Sequence, residues 1–156
     1  MDEGGIYTYM TIIGMVSISD DGNGNIDGLY LPNHNLPALQ DRESDILTEA
    51  AKQLEDFLLG KIKDFDLPLS MNGTAFQMKV WDAIQKIPYG ETMTYAQVAN
   101  IIGHEGAYRA VGTACRCNPI PIIIPCHRVM NSAGNFKGYN GGSTLKKRLL
   151  DLEQKH

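Results

Sequence analysis

From Ile6 to Ile18 apolar and polar side chains alternate with an imperfect period of two, Ile6, Thr8, Met10, Ile12, Gly14, Val16 and Ile18 against Tyr7, Tyr9, Thr11, Ile13, Met15 and Ser17. That period, rich in β-branched and aromatic residues, predicts a long β stretch. Asp20–Asn25 is a cluster of turn formers, and Ile26–Leu31 returns as a second strand, so a hairpin or meander is expected. Between Asp41 and Leu59 the spacing changes: Ile46, Leu47, Ala50, Ala51, Leu54, Phe57 and Leu58 fall on one helical stripe that stops at Gly60. Lys61–Asn72 then reads as a short strand plus linker, with Pro68 and Gly73 marking a boundary.

The second half is patterned for helices. Thr74-Ala75-Phe76-Gln77 is a capping box, and Phe76, Val80, Trp81, Ile84 and Ile87 share one face until Pro88-Tyr89-Gly90 ends the helix. Thr94-Tyr95-Ala96-Gln97 is a second capping box, opening a helix that carries Val98, Ala99 and Ile102 and stops at Gly103. After His104-Glu105-Gly106 another helix spans about Ala107–Cys117. Two helices joined by a glycine turn outline a helix-turn-helix, and equally an ordinary packed pair in a bundle. The second of them is built almost wholly of small residues, with Arg109 and Arg116 projecting. Gly112 within a helix costs roughly 1 kcal/mol against alanine. Either close approach of a sugar-phosphate backbone or tight helix packing accounts for it.

The chain therefore reads as α/β, with a small α/β domain over residues 1–72, a linker near 68–73, and a mainly helical domain over residues 73–156. Charge sharpens this division. The net charge is -4, yet residues 1–73 hold 4 Lys+Arg against 13 Asp+Glu and residues 74–156 hold 10 against 5. A basic half beside an acidic one permits a polyanionic partner for the second domain. The hydrophobic fraction of 43% and charged fraction of 21% are those of an ordinary globular chain. The apolar runs are too short for a membrane span, so no membrane partner is expected. The acidic start, Met1-Asp2-Glu3, is unlike a leader peptide. Three cysteines, Cys115, Cys117 and Cys126, make a poor disulfide framework and fit a reducing cytoplasm.

Two candidate chemistries remain. Asp21, Asn23, Asn25 and Asp27 alternate like the start of a calcium loop, but Ile26 stands where glycine is needed and Pro32 where a bidentate Glu is needed, which excludes that site. The stretch Asn118-Pro119-Ile120-Pro121-Ile122-Ile123-Ile124-Pro125-Cys126-His127-Arg128-Val129 is more telling. Its prolines are expected to hold it extended, and its isoleucines to bury it. A free thiol is only a few per cent ionised at neutral pH. His127 could take the proton from Cys126, while a merely structural buried cysteine is the other reading. Cys115 and Cys117 read as packing cysteines, too few for a metal site.

Pro125-Cys126-His127-Arg128-Val129 resembles the active-site signature of the O6-alkylguanine-DNA alkyltransferase family, the methylated-DNA–protein-cysteine methyltransferases. Arg109-Ala110-Val111-Gly112, Asn118-Pro119, Tyr139-Asn140-Gly141-Gly142 and Leu149-Leu150-Asp151-Leu152-Glu153 agree with it in order and spacing. The resemblance covers about residues 74–153, whereas the first half is similar only in length and strand-helix outline. It implies a ribonuclease H-like first domain and a winged helix-turn-helix in the second. It also implies direct, once-only repair, in which Cys126 takes the alkyl group of O6-methylguanine, and of O4-methylthymine, from double-stranded DNA. Cys126 would be the nucleophile, His127 the base acting through a water, Glu153 its polarising acid and Asn118 a brace. Tyr95 would promote extrusion of the base and Arg109 fill the gap, with Ala110 and Gly112 against the DNA. Val129, Tyr139 and Asn140 would line the base pocket. No cofactor and no metal are expected, since the zinc of some relatives needs cysteines that are not found before Cys115, and the protein is expected to act as a monomer. Cys115 stands where a larger apolar residue would suit stacking on the base. An alkyltransferase-like damage binder, a thiol hydrolase and a plain helix-turn-helix regulator are the alternatives, distinguished by whether Cys126 gains mass once.

Overall fold

A computed structural model describes residues 3–32, 34–136 and 138–156; Met1 and Asp2 of the acidic start lie outside them. The chain divides into two compact units, Met1–Met71 and Asn72–His156.

In the first unit the predicted 6–18 stretch is two strands, β1 (Gly5–Thr11) and β2 (Gly14–Asp20), paired antiparallel with Thr11 opposite Gly14. Ile12 and Ile13 form the turn. The period of two carries no mark of it, because the turn is made by flanking residues: Thr11 Oγ1 donates to Gly14 O at 2.8 Å and accepts from Ile13 N at 3.2 Å, and Gly14 takes a φ of 110°. β3 (Ile26–Tyr30) completes an antiparallel meander, and β4 (Gln40–Asp41) lies parallel to β1, giving the order β3-β2-β1-β4. Helix α1 (Asp45–Leu58), capped by Ser44, buries Leu47, Ala50, Leu54, Phe57 and Leu58 and packs on β2, where Val16 and Ile18 are buried. The strand expected in Lys61–Asn72 is reduced to one bridge, Ile26 N donating to Pro68 O and Ser70 N to Ile26 O, both at 2.8 Å. Pro68 has no N–H with which to extend the ladder.

In the second unit both capping boxes form. Thr74 caps α2 (Ala75–Gln85), and Thr94 caps α3 (Tyr95–Ile101), each Gln at the third helical position bonding back to the cap backbone. A turn containing Gly103 and Gly106 leads to α4 (Tyr108–Arg116). Trp81 ties α2 to α4, its Nε1 donating to Ala114 O at 2.9 Å. Strands β5 (Met93–Thr94) and β6 (Val129–Met130) pair in parallel, joining the start of α3 to the segment after Cys126. The unit closes with α5 (Ser143–Lys155), which buries Lys146, Leu149 and Glu153. The architecture is α/β, a small sheet with several helices. Among the described residues, no helix is long and apolar enough to cross a membrane.

Candidate active site around Cys126

The segment leading to Cys126 is not extended. Ile124 N donates to Ile120 O at 2.9 Å, Pro121 and Ile124 form a bridge, and Ile122 sits at a φ of 74°. A β-branched residue in the left-handed region is costly, of order 1–3 kcal/mol, and persists only where packing dictates it. Here burying Ile120, Ile122 and Ile124 against the core outweighs the extended preference of the prolines. Asn118 completes the turn. Its Oδ1 accepts from Ile120 N at 2.9 Å, while Nδ2 donates to Ile124 O at 2.8 Å and to Cys126 Sγ at 3.0 Å.

Cys126, His127 and Arg128 form one 3-10 turn, and all three are buried. His127 is 0% exposed, and its Nε2 lies 2.6 Å from Glu153 Oε2. Arg128 Nε donates to both Glu153 oxygens at 2.8 and 3.1 Å, and its Nη1 donates to Ile87 O at 2.8 Å. Gly90 N adds a third donor to that carboxylate at 2.9 Å. Burial works to raise the pKa of Glu153, but the hydrogen bonds from His127 and Arg128, and that from Gly90, outweigh it and bring the carboxyl down to about 2. An ionised Glu153 can only accept, so Nε2 of His127 carries the proton and Nδ1 keeps its lone pair. Nδ1 is buried with no hydrogen-bond partner among the described residues.

Burial lowers the imidazole's pKa, against the raising effect of Glu153, so His127 rests neutral. Burial also pushes the Cys126 thiol well up, helped by a hydrogen bond and a coulombic effect from Cys115 and opposed by Asn118 and Lys146. The resting pair is therefore a neutral thiol beside a neutral base. No direct hydrogen bond joins the two side chains among the described residues.

The remaining predicted residues are placed differently. Tyr95 opens α3, half-buried, and burial raises its phenol, with both Cys115 and Cys126 adding to the effect. Val129 O, at the start of β6, accepts from the buried Lys146 Nζ at 2.6 Å. The Tyr139 hydroxyl is buried with no partner among the described residues, and burial followed by Cys126 raises its pKa. Asn140 is exposed and its Nδ2 donates to Arg116 O. Arg109 and Ala110 are exposed on α4, outside the hydrogen-bonded set of Cys126, Asn118, His127 and Glu153; Arg109 lies over the Tyr108 ring at 5.8 Å. Gly112 is buried, but an added Cβ there would meet only Arg116 Nη1 at 3.7 Å, an ordinary contact, so tight internal packing does not require glycine.

Of the two cysteines read as packing residues, one departs from expectation. Cys115 is buried, whereas Cys117, at the C-terminal cap of α4, is exposed. The sequence reading also left out Arg128, Lys146 and helix α5. Leu145, Leu149 and Leu152 supply a helical spacing for α5, but Lys146 and Glu153 on the buried side disguise it.

Comparison with known proteins decides the family. Residues 75–155 match the family described as 6-O-methylguanine DNA methyltransferase, DNA binding domain. The chain belongs to this family. A methylated-DNA--protein-cysteine methyltransferase of Methanosarcina barkeri is 50% identical over 119 residues, covering 76% of this chain and 75% of that protein. A constitutive one from Bacillus subtilis is 46% identical over 114 residues, 72% of this chain and 69% of its own length. Within the family the fold is similar to that of Mycobacterium tuberculosis OGT in complex with DNA, with TM-score 0.90 and 36% identity over 97% of this chain and 93% of that one. An O6-methylguanine DNA methyltransferase from Methanococcus jannaschii shares the fold at TM-score 0.70 and 23% identity.

Proposed function

We propose that this protein repairs double-stranded DNA by moving the alkyl group of O6-alkylguanine, and of O4-methylthymine, onto Cys126, once per molecule. The observation that carries this reading is the chain Asn118–Cys126 and His127–Glu153, a hydrogen-bonded thiol beside an imidazole whose tautomer is fixed by an ionised carboxylate. Residues 1–72 form a supporting domain and residues 73–156 the DNA-binding and alkyl-acceptor domain.

Because both groups rest neutral, ionisation belongs to the reacting complex. The thiol proton passes through a bridging water to Nδ1 of His127, and the imidazolium is stabilised by Glu153. The sulfur then attacks the O6 carbon in line. The S–C bond forms, the C–O6 bond breaks, and its electron pair leaves on guanine, which takes up a proton. The product is a thioether and unmodified guanine. A thioether is not hydrolysed by water, so the acceptor is not regenerated.

Binding falls to the helix pair. We assign α3, its turn and α4 to a helix-turn-helix with β5 and β6 as the wing, and the first unit to a ribonuclease H-like fold, as its antiparallel meander with a parallel fourth strand suggests. α4 presents Arg109 and Ala110 to the duplex, and Gly112 allows close approach of the backbone. Arg109 fills the space left by the flipped base, an extrusion that costs a few kcal/mol. Tyr95 promotes that rotation, and Val129, Tyr139 and Asn140 line the pocket that receives the base. The reading includes a monomeric, cytoplasmic protein needing no cofactor or metal. Duplex DNA labelled on the O6-methyl carbon tests it: label is expected in the wild-type protein and absent from Cys126→Ala, and labelled Cys126→Ala contradicts it.

A further inference from the structure

Helix α4 carries two arginines, Arg109 and Arg116, and the structure treats them differently. Arg116 Nη2 donates to Thr113 Oγ1 at 3.1 Å, which ties its guanidinium down along the helix. The Arg109 side chain makes no hydrogen bond or ion pair among the described residues, and the first turn of α4 holds no acidic residue to capture it. Its guanidinium lies instead over the ring of Tyr108, 5.8 Å from the centroid, within the range at which an aromatic face attracts a cation. Consecutive helix positions do not face one another, so helical spacing alone does not bring the two together. Tyr108 is 47% exposed, a large aromatic left in solvent at the first position of the helix. It edges a cavity of about 290 Å³ whose lining also includes Thr94, Tyr95 and Asn131. The ring that carries Arg109 therefore stands beside the residue assigned to base rotation.

We propose that Tyr108 is a positioning residue for the extrusion step, its ring face holding the Arg109 guanidinium ready at the start of α4 until the base leaves the stack. The inference rests on the reading of Arg109 as the group that fills the gap. Such a group faces two opposing demands. Bonded to a carboxylate, it would have to break an ion pair before entering the duplex. Left free, its rotamer-rich chain would lose that freedom on insertion. A ring meets both demands, because it confines the cation without a hydrogen-bond acceptor that must be abandoned. On binding, the planar guanidinium exchanges the Tyr108 ring for the base faces on either side of the vacancy. Tyr108 has no part in the chemistry at Cys126 and acts through Arg109 alone.

The test compares the full-length wild type with Tyr108→Leu, Tyr108→Phe, Arg109→Ala and the double variant Tyr108→Leu/Arg109→Ala. Each is assayed for the second-order rate of methyl transfer from O6-methylguanine in a duplex and in a single strand, where extrusion costs least. On the duplex, Tyr108→Leu is expected to be slower by about 2- to 5-fold, the worth of one exposed cation–ring contact, and Tyr108→Phe to keep the wild-type rate. On the single strand both are expected to match wild type, which also reports an intact fold. In the double variant the Tyr108 change is expected to slow transfer no further than Arg109→Ala does alone. A duplex rate unchanged by Tyr108→Leu, with Arg109→Ala slow, overturns the proposal and leaves the gap-filling reading standing. Equal losses on duplex and single strand, or additive losses in the double variant, overturn it as well. Arg109→Ala at the wild-type duplex rate overturns both.

Discussion

Arg128 and Glu153 are locked by a two-point contact, Nε reaching the carboxylate oxygens at 2.8 and 3.1 Å, on the same carboxylate that His127 approaches at 2.6 Å. The guanidinium therefore does for Glu153 what Glu153 does for His127: it keeps the partner charged and oriented inside the core. Arg128→Ala leaves a buried carboxylate without its main counter-ion. Loss of one partner of such a pair costs about 3–5 kcal/mol, and urea denaturation of the full chain is expected to show a fall of that order. Arg128→Lys keeps the charge without the fork, so an intermediate loss is expected. Wild-type stability in Arg128→Ala contradicts the assignment.

Glu153→Gln separates charge from shape. The amide fills the same space but no longer holds Nε2–H as an ionised acceptor, so the lone pair on Nδ1 is no longer guaranteed. Alkyl transfer is expected to slow by about 10²- to 10⁴-fold, the usual range for losing a positioned general base, with weaker dependence on pH. Single-turnover quench measurements across pH check this; an unchanged rate and profile removes Glu153 from the relay.

Acid should weaken the second unit for two reasons of the same sign. Glu153 has a folded pKa of about 2 against an ordinary carboxyl near 4.5, so its contribution is full above about 4.5 and is lost as pH falls through 2. His127 is depressed in the folded state by burial, so the unfolded chain binds its proton first, and stability also drops as pH falls below about 6.5. Thermal melts from pH 7.5 to 3.5 are expected to show a falling midpoint, with a smaller slope in Glu153→Gln. A flat curve in the wild type contradicts this.

Exposure should separate the reactivity of Cys117 from that of Cys126. Exposed Cys117 is expected to be alkylated by iodoacetamide at neutral pH well before Cys126, whose thiol burial holds protonated. Peptide mapping over time reads the order; Cys126 reacting first means that the resting sulfur is already an anion.

Gly112 offers a test on the DNA side. A Cβ at this position meets nothing closer than Arg116 Nη1 at 3.7 Å, so Gly112→Ala is expected to leave stability unchanged or raise it by up to about 1 kcal/mol. Affinity for duplex DNA is expected to fall. Unaltered binding would show that glycine serves no approach of the backbone.

Much of this was legible because the signals are local. Both capping boxes and the α1 stripe are written in neighbouring residues, and the structure forms them as read. What escaped was set by distant partners. The Ile12-Ile13 turn looks like strand until Thr11 and Gly14 close it. The turn at Ile122 defies its prolines because four apolar side chains at 120 and 122–124 are buried together. Arg128 and Lys146 read as surface charges, since buried charges are rare unless paired, and their partners, Glu153 and Val129 O, lie 25 and 17 positions away.

The most direct test is the intact mass of the protein incubated with a several-fold excess of duplex DNA carrying O6-methylguanine. Cys126 is expected to gain one methylene, about 14 Da, with the thiol as the acceptor, and uptake to stop at one per chain while substrate remains. Continued demethylation beyond one equivalent, or the same gain in Cys126→Ser, would contradict the account.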